Sequence, residues 1–453
     1  MELIVRPGKT LFGEVGNHSS FALPGDKSIS HRAAIFAAAA EGESHIENFL
    51  VSGVTQVMVD CLAKLGNTFE LIGKRLIVNG RGIRRWQSSA EPLDCGNSAT
   101  TMRLLAGAIA ASGISAILTG SEGLRHRPMR RIVDPLKQMG VPIECTEEGT
   151  APLRLSRRIG NNLLPLEGYS LSVASAQVKT CLLLAGMSSP GKTVLYEPGL
   201  SRDHTERMLR RMGVPVHSNR VRRNGSEWYE TRMELSQPFD FPTLYMRIPG
   251  DFSSAAFLLA AALITPGSNI IIKGVGLNPT RTGLLEVCQA MGGNIQVQNV
   301  RDEGGEPVGD LVVQHSHLKG VQVQGEMVVR MIDEFPIFAV VACFAEGMSS
   351  VSNAEELRNK ESDRIGQLCR ELNQLGAHVQ ETTDGFIIHG KGEIAGGVAE
   401  SHRDHRLAMS LAVAGLACRS PVCIRDAEYF RESFPDFGEI FKHLGADFQW
   451  EGQ

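Results

Sequence analysis

The chain has no Cys-x-x-Cys pair, no excess of positive charge and no long hydrophobic run. Its nine cysteines are scattered through 453 residues. An odd, unpatterned set of this kind fits reduced thiols in a reducing compartment. The formal net charge of −4 argues against a general nucleic-acid binder, which would be basic. The apolar stretches, such as Ala255 to Ile264, are too short to span a bilayer. The opening residues Met1 to Gly8 hold no apolar signal core. A cytoplasmic protein without nucleic-acid or membrane partners is therefore expected. A P-loop is also missing: Gly25-Asp26-Lys27-Ser28 breaks the contiguous Gly-Lys-Ser which that motif needs. What is present is 42% apolar and 21% charged residues, the composition of a soluble globular chain. The length suffices for two or three domains with sizeable cores.

The most informative stretch is Leu23-Pro24-Gly25-Asp26-Lys27-Ser28-Ile29-Ser30-His31-Arg32, which runs into the alanine-rich Ala33 to Ala40. Polar and cationic residues crowd the start of an apolar helix. A helix start offers unpaired N–H groups and the positive end of the macrodipole. With Lys27, Ser28 and Arg32 added, it suits an anion. The plainer reading has Asp26 or Ser28 as a helix cap and the cations solvated.

A pattern of helix end, glycine and short strand recurs six times, at Gly66, Gly140, Gly213, Gly292, Gly376 and Gly445. Each glycine stands where a left-handed residue ends a helix. The spacing, about 70 to 85 residues, exceeds the roughly 20–50 of solenoid repeats. It fits a small α+β unit repeated six times. Each unit also carries a helix apolar nearly all round: Ala33–Ala40, Leu104–Ala111, Val178–Ala185, Ala255–Ala262, Ile337–Ala345 and Leu407–Ala417. Such helices are buried. Their starts are polar, at Asp26-Lys27-Ser28, Gly96-Asn97-Ser98, Ser175-Ala176-Gln177, Asp251-Phe252-Ser253, Asp333-Glu334 and Asp404-His405-Arg406. Parallel helices would gather these starts on one face of each half. Two such faces meeting would form a cleft that attracts a multiply anionic substrate.

Three further clusters are charged. Gly123 to Arg131 is a dense cationic loop, where most arginines read as solvated; Pro128 marks the next helix start and puts Arg127 beside it. In Arg358 to Arg364, a helix would make Lys360 and Arg364 like charges at i,i+4; an exposed face with local ion pairs is the plain reading. His402 and His405 have the spacing of metal ligands, but no second cluster supports them, so no metal site is expected. Asp333 reads by default as a helix cap.

Together these segments resemble the enolpyruvylshikimate-phosphate synthase (3-phosphoshikimate 1-carboxyvinyltransferase) family over nearly the whole chain. The resemblance is carried by Leu23–Arg32, Gly96–Arg103, Arg127-Pro128-Met129, Ser175-Ala176-Gln177, Ser201–Glu206, Lys360–Arg364 and Asp404-His405-Arg406. It implies an α+β fold of two globular domains, each three copies of a βαβαββ unit around buried helices (an inside-out α/β barrel), with a cleft between the domains. Residues 1–22 plus 249–453 would form one domain and 23–248 the other. The implied reaction moves the enolpyruvyl group of phosphoenolpyruvate onto the 5-hydroxyl of 3-phosphoshikimate and releases phosphate, with no cofactor or metal, in a monomer.

By the same resemblance, Lys27, Ser28, Arg32, Ser175, Ala176, Gln177, Ser201, Arg202, Asp333 and Lys360 would hold 3-phosphoshikimate. Lys27, Asn97, Ala99, Arg127, Gln177, Arg364 and Arg406 would hold phosphoenolpyruvate. Arginine suits bidentate carboxylate clamping. Asp333 would be the base at the hydroxyl and Glu361 the acid at carbon, with Lys27 and His405 assisting. An acid and a base acting together need separated pKa values, so Glu361 is expected beside a carboxylate or buried. Many family members have glycine at Ala99 and proline at Leu104; the extra methyl resembles the glyphosate-tolerant class. Glu432 stands where many members have lysine, with Arg431 beside it. The sister enolpyruvyl transferases acting on UDP-N-acetylglucosamine carry a cysteine near the arginine-proline segment, and Gly120 to Pro128 has none.

Overall fold

The computed structural model describes residues 1–16, 21–160 and 162–452. Contacts divide the chain into two compact units, a continuous one of Gly25–Ile248 and a discontinuous one of Met1–Pro24 with Pro249–Gln453. Each has its own apolar core.

The six apolar segments all form helices. In the continuous unit they are α1 (Lys27–Ala39), α2 (Ala99–Ser112) and α3 (Ala176–Gly186). In the discontinuous unit they are α4 (Phe252–Ile264), α5 (Phe335–Phe344) and α6 (His405–Gly415). Five are rich in Ala or Leu, good helix formers, and α5 is rich in Phe and Val; none has a polar face to offer to water, so each is buried along nearly its whole length. Small residues let them approach closely. α2 packs on α3, and a Cβ built on Gly107 of α2 would lie 2.2 Å from the Cys181 carbonyl oxygen of α3. Only glycine fits that crossing.

Around the helices lie six four-stranded sheets among the described residues. All share one plan: an edge strand pairs parallel with its neighbour, and the next two pairings are antiparallel. In one sheet of the continuous unit, Tyr245–Arg247 runs parallel to Glu41–Glu47, which pairs antiparallel with Arg75–Arg81, then Thr68–Ile72. The strand Tyr245–Arg247 thus completes the first repeat from the far end of the unit. The other unit does the same: Glu2–Arg6 lies between Val422–Arg425 and Asp447–Glu451. The repeat is therefore βαβαββ, closed by chain crossings. The recurring glycines end the outer helices in the left-handed region, with φ of +98°, +85°, +88°, +95°, +93° and +104° from Gly66 to Gly445.

Two local expectations are corrected. Glu355–Asn359 is a short 3-10 turn and the next α-helix begins at Gly366, so Lys360 and Arg364 lie on an irregular segment and not one helical turn apart. Asp363, whose carboxylate accepts the Ile365 and Gly366 N–H groups at 3.1 Å each, draws the chain into that helix. In the cationic loop, Glu122–Arg125 is itself a helical turn, and the following helix Arg130–Gln138 starts two residues after Pro128. Among the described residues no helix is long and apolar enough to cross a membrane.

Candidate active site

In the continuous unit the site is built from helix starts. Asp26 Oδ1 accepts the Ile29 N–H at 2.9 Å, so Asp26 is the cap of α1. A Cβ on Gly25 would lie 1.8 Å from the Asn48 carbonyl oxygen; the chain can press against that strand end only as glycine. Ser98 and Ser175 cap α2 and α3 through the Thr101 and Val178 N–H groups. Lys27 and Ser28 thus fall in the first turn of α1, and Ala99, Ala176 and Gln177 in the first turns of α2 and α3.

A chain of hydrogen bonds joins these starts. Buried Arg32 donates from Nε to Thr205 Oγ1 at 2.7 Å, from Nη1 to the Ser28 carbonyl at 2.9 Å and from Nη2 to Thr180 Oγ1 at 2.7 Å. It also reaches the Ala176 carbonyl at 3.4 Å. One guanidinium therefore ties α1 to α3 and to the helix His204–Arg211. Arg202 Nη1 donates to Ser28 Oγ at 3.3 Å. Gln177 Oε1 accepts from Arg103 Nη1 at 2.6 Å, and its Nε2 donates to Thr100 Oγ1 at 2.9 Å. Arg103 also donates to the Pro128 carbonyl at 3.0 Å, which holds the segment bearing Arg127. The Ser121 hydroxyl bonds Asn97 Oδ1 at 3.1 Å. Ser201 is held by Glu197, at 2.5 Å from its hydroxyl. Shared partners thus link Ser28, Arg32, Ala176 and Arg202 in one set, and Gln177 with the segment of Arg127 in another.

His31 braces this cluster from behind. Its Nδ1 lies 2.7 Å from the Lys27 carbonyl, and its Nε2 3.1 Å from that of Val54 and 3.5 Å from Ser98 Oγ. Burial pushes its imidazole down to about 4. The two carbonyls favour a second proton, but burial and the charges of Lys27 and Arg32 outweigh them.

In the discontinuous unit the cluster is ionic. Arg364, 1% exposed, donates from Nε to Asp404 at 2.8 Å and from Nη2 to Glu361 at 2.7 Å, and its Nη1 lies 3.6 Å from Asp333. Burial alone would lower its guanidinium, but Asp404, Glu361 and Asp333 together hold it above its ordinary value. For Asp404, burial pushes upward, yet Arg364 and then His405 hold the carboxyl below its usual range. Asp404 also accepts the Arg406 N–H at 2.9 Å and so caps α6. Asp333 is not a cap, contrary to the sequence expectation. The capping position of α5 is Glu334, without a side-chain cap bond. Asp333 instead faces three cations: Lys360 at 3.9 Å, Arg364 at 3.6 Å and Arg406 at 3.6 Å. Glu361 lies on Arg364, with Asp333 and Asp404 sharing that guanidinium. Arg406, 4% exposed, also has Glu334 at 3.8 Å.

His405 Nδ1 lies 3.6 Å from Glu432, which puts a carboxylate beside it. Arg431 is exposed and lies over the Phe430 ring, 5.8 Å from its centroid. Sequence reasoning gave no role to Arg103, His31 or Glu334. Arg103 had a signal: it follows Ala99 by four residues, on the same helix face. Glu334 accepts the Ser253 hydroxyl, which in turn accepts from Arg281 at 2.6 Å; no sequence pattern links those three. Among the described residues, no group of three or more His, Cys, Asp or Glu side chains is placed to hold a metal ion.

The His31 ring gives a pH prediction. Its folded value near 4 lies below the ordinary 6.5, so between these pH values the unfolded chain binds more protons and stability falls as pH falls. By linkage the wild type should lose about 3 kcal/mol more than His31→Gln between pH 6.5 and 4, read from denaturant unfolding. Parallel profiles would contradict a buried, neutral ring.

The residues 6–441 match the family model for EPSP synthase (3-phosphoshikimate 1-carboxyvinyltransferase). The chain is 45% identical over 430 residues to the 3-phosphoshikimate 1-carboxyvinyltransferase of Salinibacter ruber, covering 94% of this chain and 96% of that protein. It is 42% identical over 446 residues to that of Geobacter metallireducens, covering 98% and 99%. A solved EPSP synthase from Acinetobacter baumannii superposes with a TM-score of 0.84 at 38% identity, over 99% of this chain and 100% of that one. The enolpyruvyl transferase NikO from Streptomyces tendae shares the fold, with a TM-score of 0.77 at 19% identity over 99% and 98%.

Proposed function

The chain belongs to the EPSP synthase (3-phosphoshikimate 1-carboxyvinyltransferase) family and transfers the enolpyruvyl group of phosphoenolpyruvate to the 5-hydroxyl of 3-phosphoshikimate, and on that premise we propose which groups do the work. In the continuous unit, Lys27, Ser28, Arg32, Ser175, Ala176, Gln177, Ser201 and Arg202 hold 3-phosphoshikimate. Lys27, Asn97, Ala99, Arg127 and Gln177 serve phosphoenolpyruvate. The discontinuous unit adds Asp333 and Lys360 for the first substrate and Arg364 and Arg406 for the second.

The chemistry needs two proton movements. The 5-hydroxyl oxygen adds to the substituted carbon of phosphoenolpyruvate, and its proton passes to Asp333. Glu361 gives a proton to the methylene carbon, which becomes a methyl group. The tetrahedral adduct then loses phosphate, which carries off the proton held by Asp333, and one methyl proton returns to the Glu361 carboxylate as the double bond re-forms. Lys27 assists at the phosphate, and His405, with Glu432 3.6 Å away, assists in the proton movements. Both substrates carry a carboxylate and a phosphate, so the cationic helix starts match the charge of what is bound.

The observation that carries this reading is Arg406. Its guanidinium makes no side-chain hydrogen bond among the described residues, and its two carboxylates stand off at 3.6 and 3.8 Å. Charge-assisted hydrogen bonds run at about 2.7–2.9 Å. The N–H fork is thus held in place yet left to a ligand carboxylate. Phosphate release from phosphoenolpyruvate with 3-phosphoshikimate tests the reaction, with the UDP-sugar as control. Arg406→Gln and Arg127→Ala should each lower kcat/KM by about 10²- to 10³-fold, as broken buried ion pairs cost about 3–5 kcal/mol. Near-wild-type turnover in either variant removes that arginine from the clamp, and release only with the UDP-sugar overturns the substrate.

The glyphosate-tolerant class is proposed on Ala99. It is the first residue of α2 and only 3% exposed, so its methyl takes up room at the helix start where glyphosate would compete with phosphoenolpyruvate. Inhibition of the wild type is expected to be weak and that of Ala99→Gly strong. Potent inhibition of the unaltered enzyme at low concentration contradicts the assignment.

A further inference from the structure

We infer that Lys179, Glu197 and Glu206 form a buried ionic clamp that positions the Ser201–Arg202 turn, so that Lys179 is a positioning residue for the 3-phosphoshikimate half of the reaction. This rests on the proposed placement of Ser201 and Arg202 against that substrate.

Lys179 sits on α3 one turn beyond Ser175, Ala176 and Gln177. Its ammonium is 2.7 Å from Glu197 Oε1 and 2.8 Å from Glu206 Oε1, and all three side chains are 2% exposed or less. An ammonium out of water costs several kcal/mol unless it is paired, so a lysine held here must keep both partners in place. Those partners flank the turn. Glu197 is the last residue of the strand Gly191–Glu197, and Glu206 lies in the first turn of the helix His204–Arg211. One positive charge thus fixes where the strand stops and where the helix begins.

Glu197 then passes the constraint to the turn itself. Its Oε2 accepts the Ser201 hydroxyl at 2.5 Å and its Oε1 accepts the Ser201 N–H at 3.3 Å. Ser201 can occupy only the place that Glu197 allows, and Arg202 follows it toward Ser28. On the other side, Thr205 precedes Glu206 and accepts from Arg32. Lys179 therefore acts at the two ends of the segment that joins the α1 start to the α3 start, without reaching substrate itself.

Two carboxylates face one ammonium. Burial raises the Glu206 carboxyl, Lys179 pulls it down, and Asp203 and Glu197 add to the rise, so the net shift is upward. Lys179 stays charged: burial lowers it, but the two glutamates lift it above its ordinary value. The clamp works as a Lys179–Glu197 pair with Glu206 closing the third side.

The test uses the full-length enzyme. Lys179→Met keeps the stem and removes the charge. It should raise KM for 3-phosphoshikimate by about tenfold or more, as expected for a lost charged hydrogen-bond network, while KM for phosphoenolpyruvate and kcat change less than about threefold. Lys179→Arg should recover part of the loss, which a simple packing role would not grant. If Lys179→Met does not fold, Glu197→Gln is read by the same criteria, since its amide still fills the space. A folded variant with an unchanged 3-phosphoshikimate KM, or with both KM values raised alike, overturns the clamp. Failure of the wild type to release phosphate from the two substrates would instead sink the functional reading, so the two failures are told apart.

Discussion

A guanidinium taken out of water must find acceptors for its N–H groups, and each unit is arranged around one that does. In the continuous unit it is Arg32, 2% exposed, which takes its acceptors from α1, α3 and the helix carrying Thr205. In the discontinuous unit it is Arg364, 1% exposed, which takes Asp404 and Glu361, with the Asp333 carboxylate standing 3.6 Å off. The cost of an unpaired buried charge far exceeds that of bending a loop to meet it. The loops therefore follow the arginines. The helix starts that an anion would meet are held by the same groups that give the units their positive charge.

The apolar helices make this possible. α1 to α6 have no face for water, so each must be surrounded by sheets, and their polar ends are left at the edge of the core. The Gly107 approach to α3 shows how little room there is. A close-packed core of this kind transmits position: Arg103, bonded to Gln177 and the Pro128 carbonyl, fixes three chain segments to one another. The two units differ in how the cluster is made. One relies on N–H groups of helix starts and neutral hydroxyls, the other on carboxylates set against cations.

Much of the fold was legible in the sequence because it rests on local rules. A glycine that ends a helix needs a left-handed backbone, and six such glycines at even spacing marked six repeats. Apolar helices marked the core, and Asp26 read correctly as a cap. The charged segments were harder. Asp333 had the local look of a cap, but its partners Lys360, Arg364 and Arg406 come from remote segments, and only tertiary structure brings them near. Lys360 and Arg364 looked helical by spacing; Asp363 capping the next helix draws the chain away. Lys179 lay unseen inside an apolar helix, because a buried lysine is explained only by Glu197 and Glu206, which lie 18 and 27 positions on. Sequence shows which groups are present; it does not show which of them share a counter-charge.

The central claim is that buried Arg32 sets the helix starts for the substrate through its bonds to Thr180 and Thr205, which are given no substrate contact. Thr205→Val removes one such acceptor, keeps the side-chain shape and leaves every proposed substrate contact in place. Calorimetric titration of the folded variant with 3-phosphoshikimate is the direct measurement. The account predicts a dissociation constant raised by about tenfold, the size of one lost charged hydrogen bond at about 1.5 kcal/mol. A dissociation constant equal to that of the wild type would contradict it.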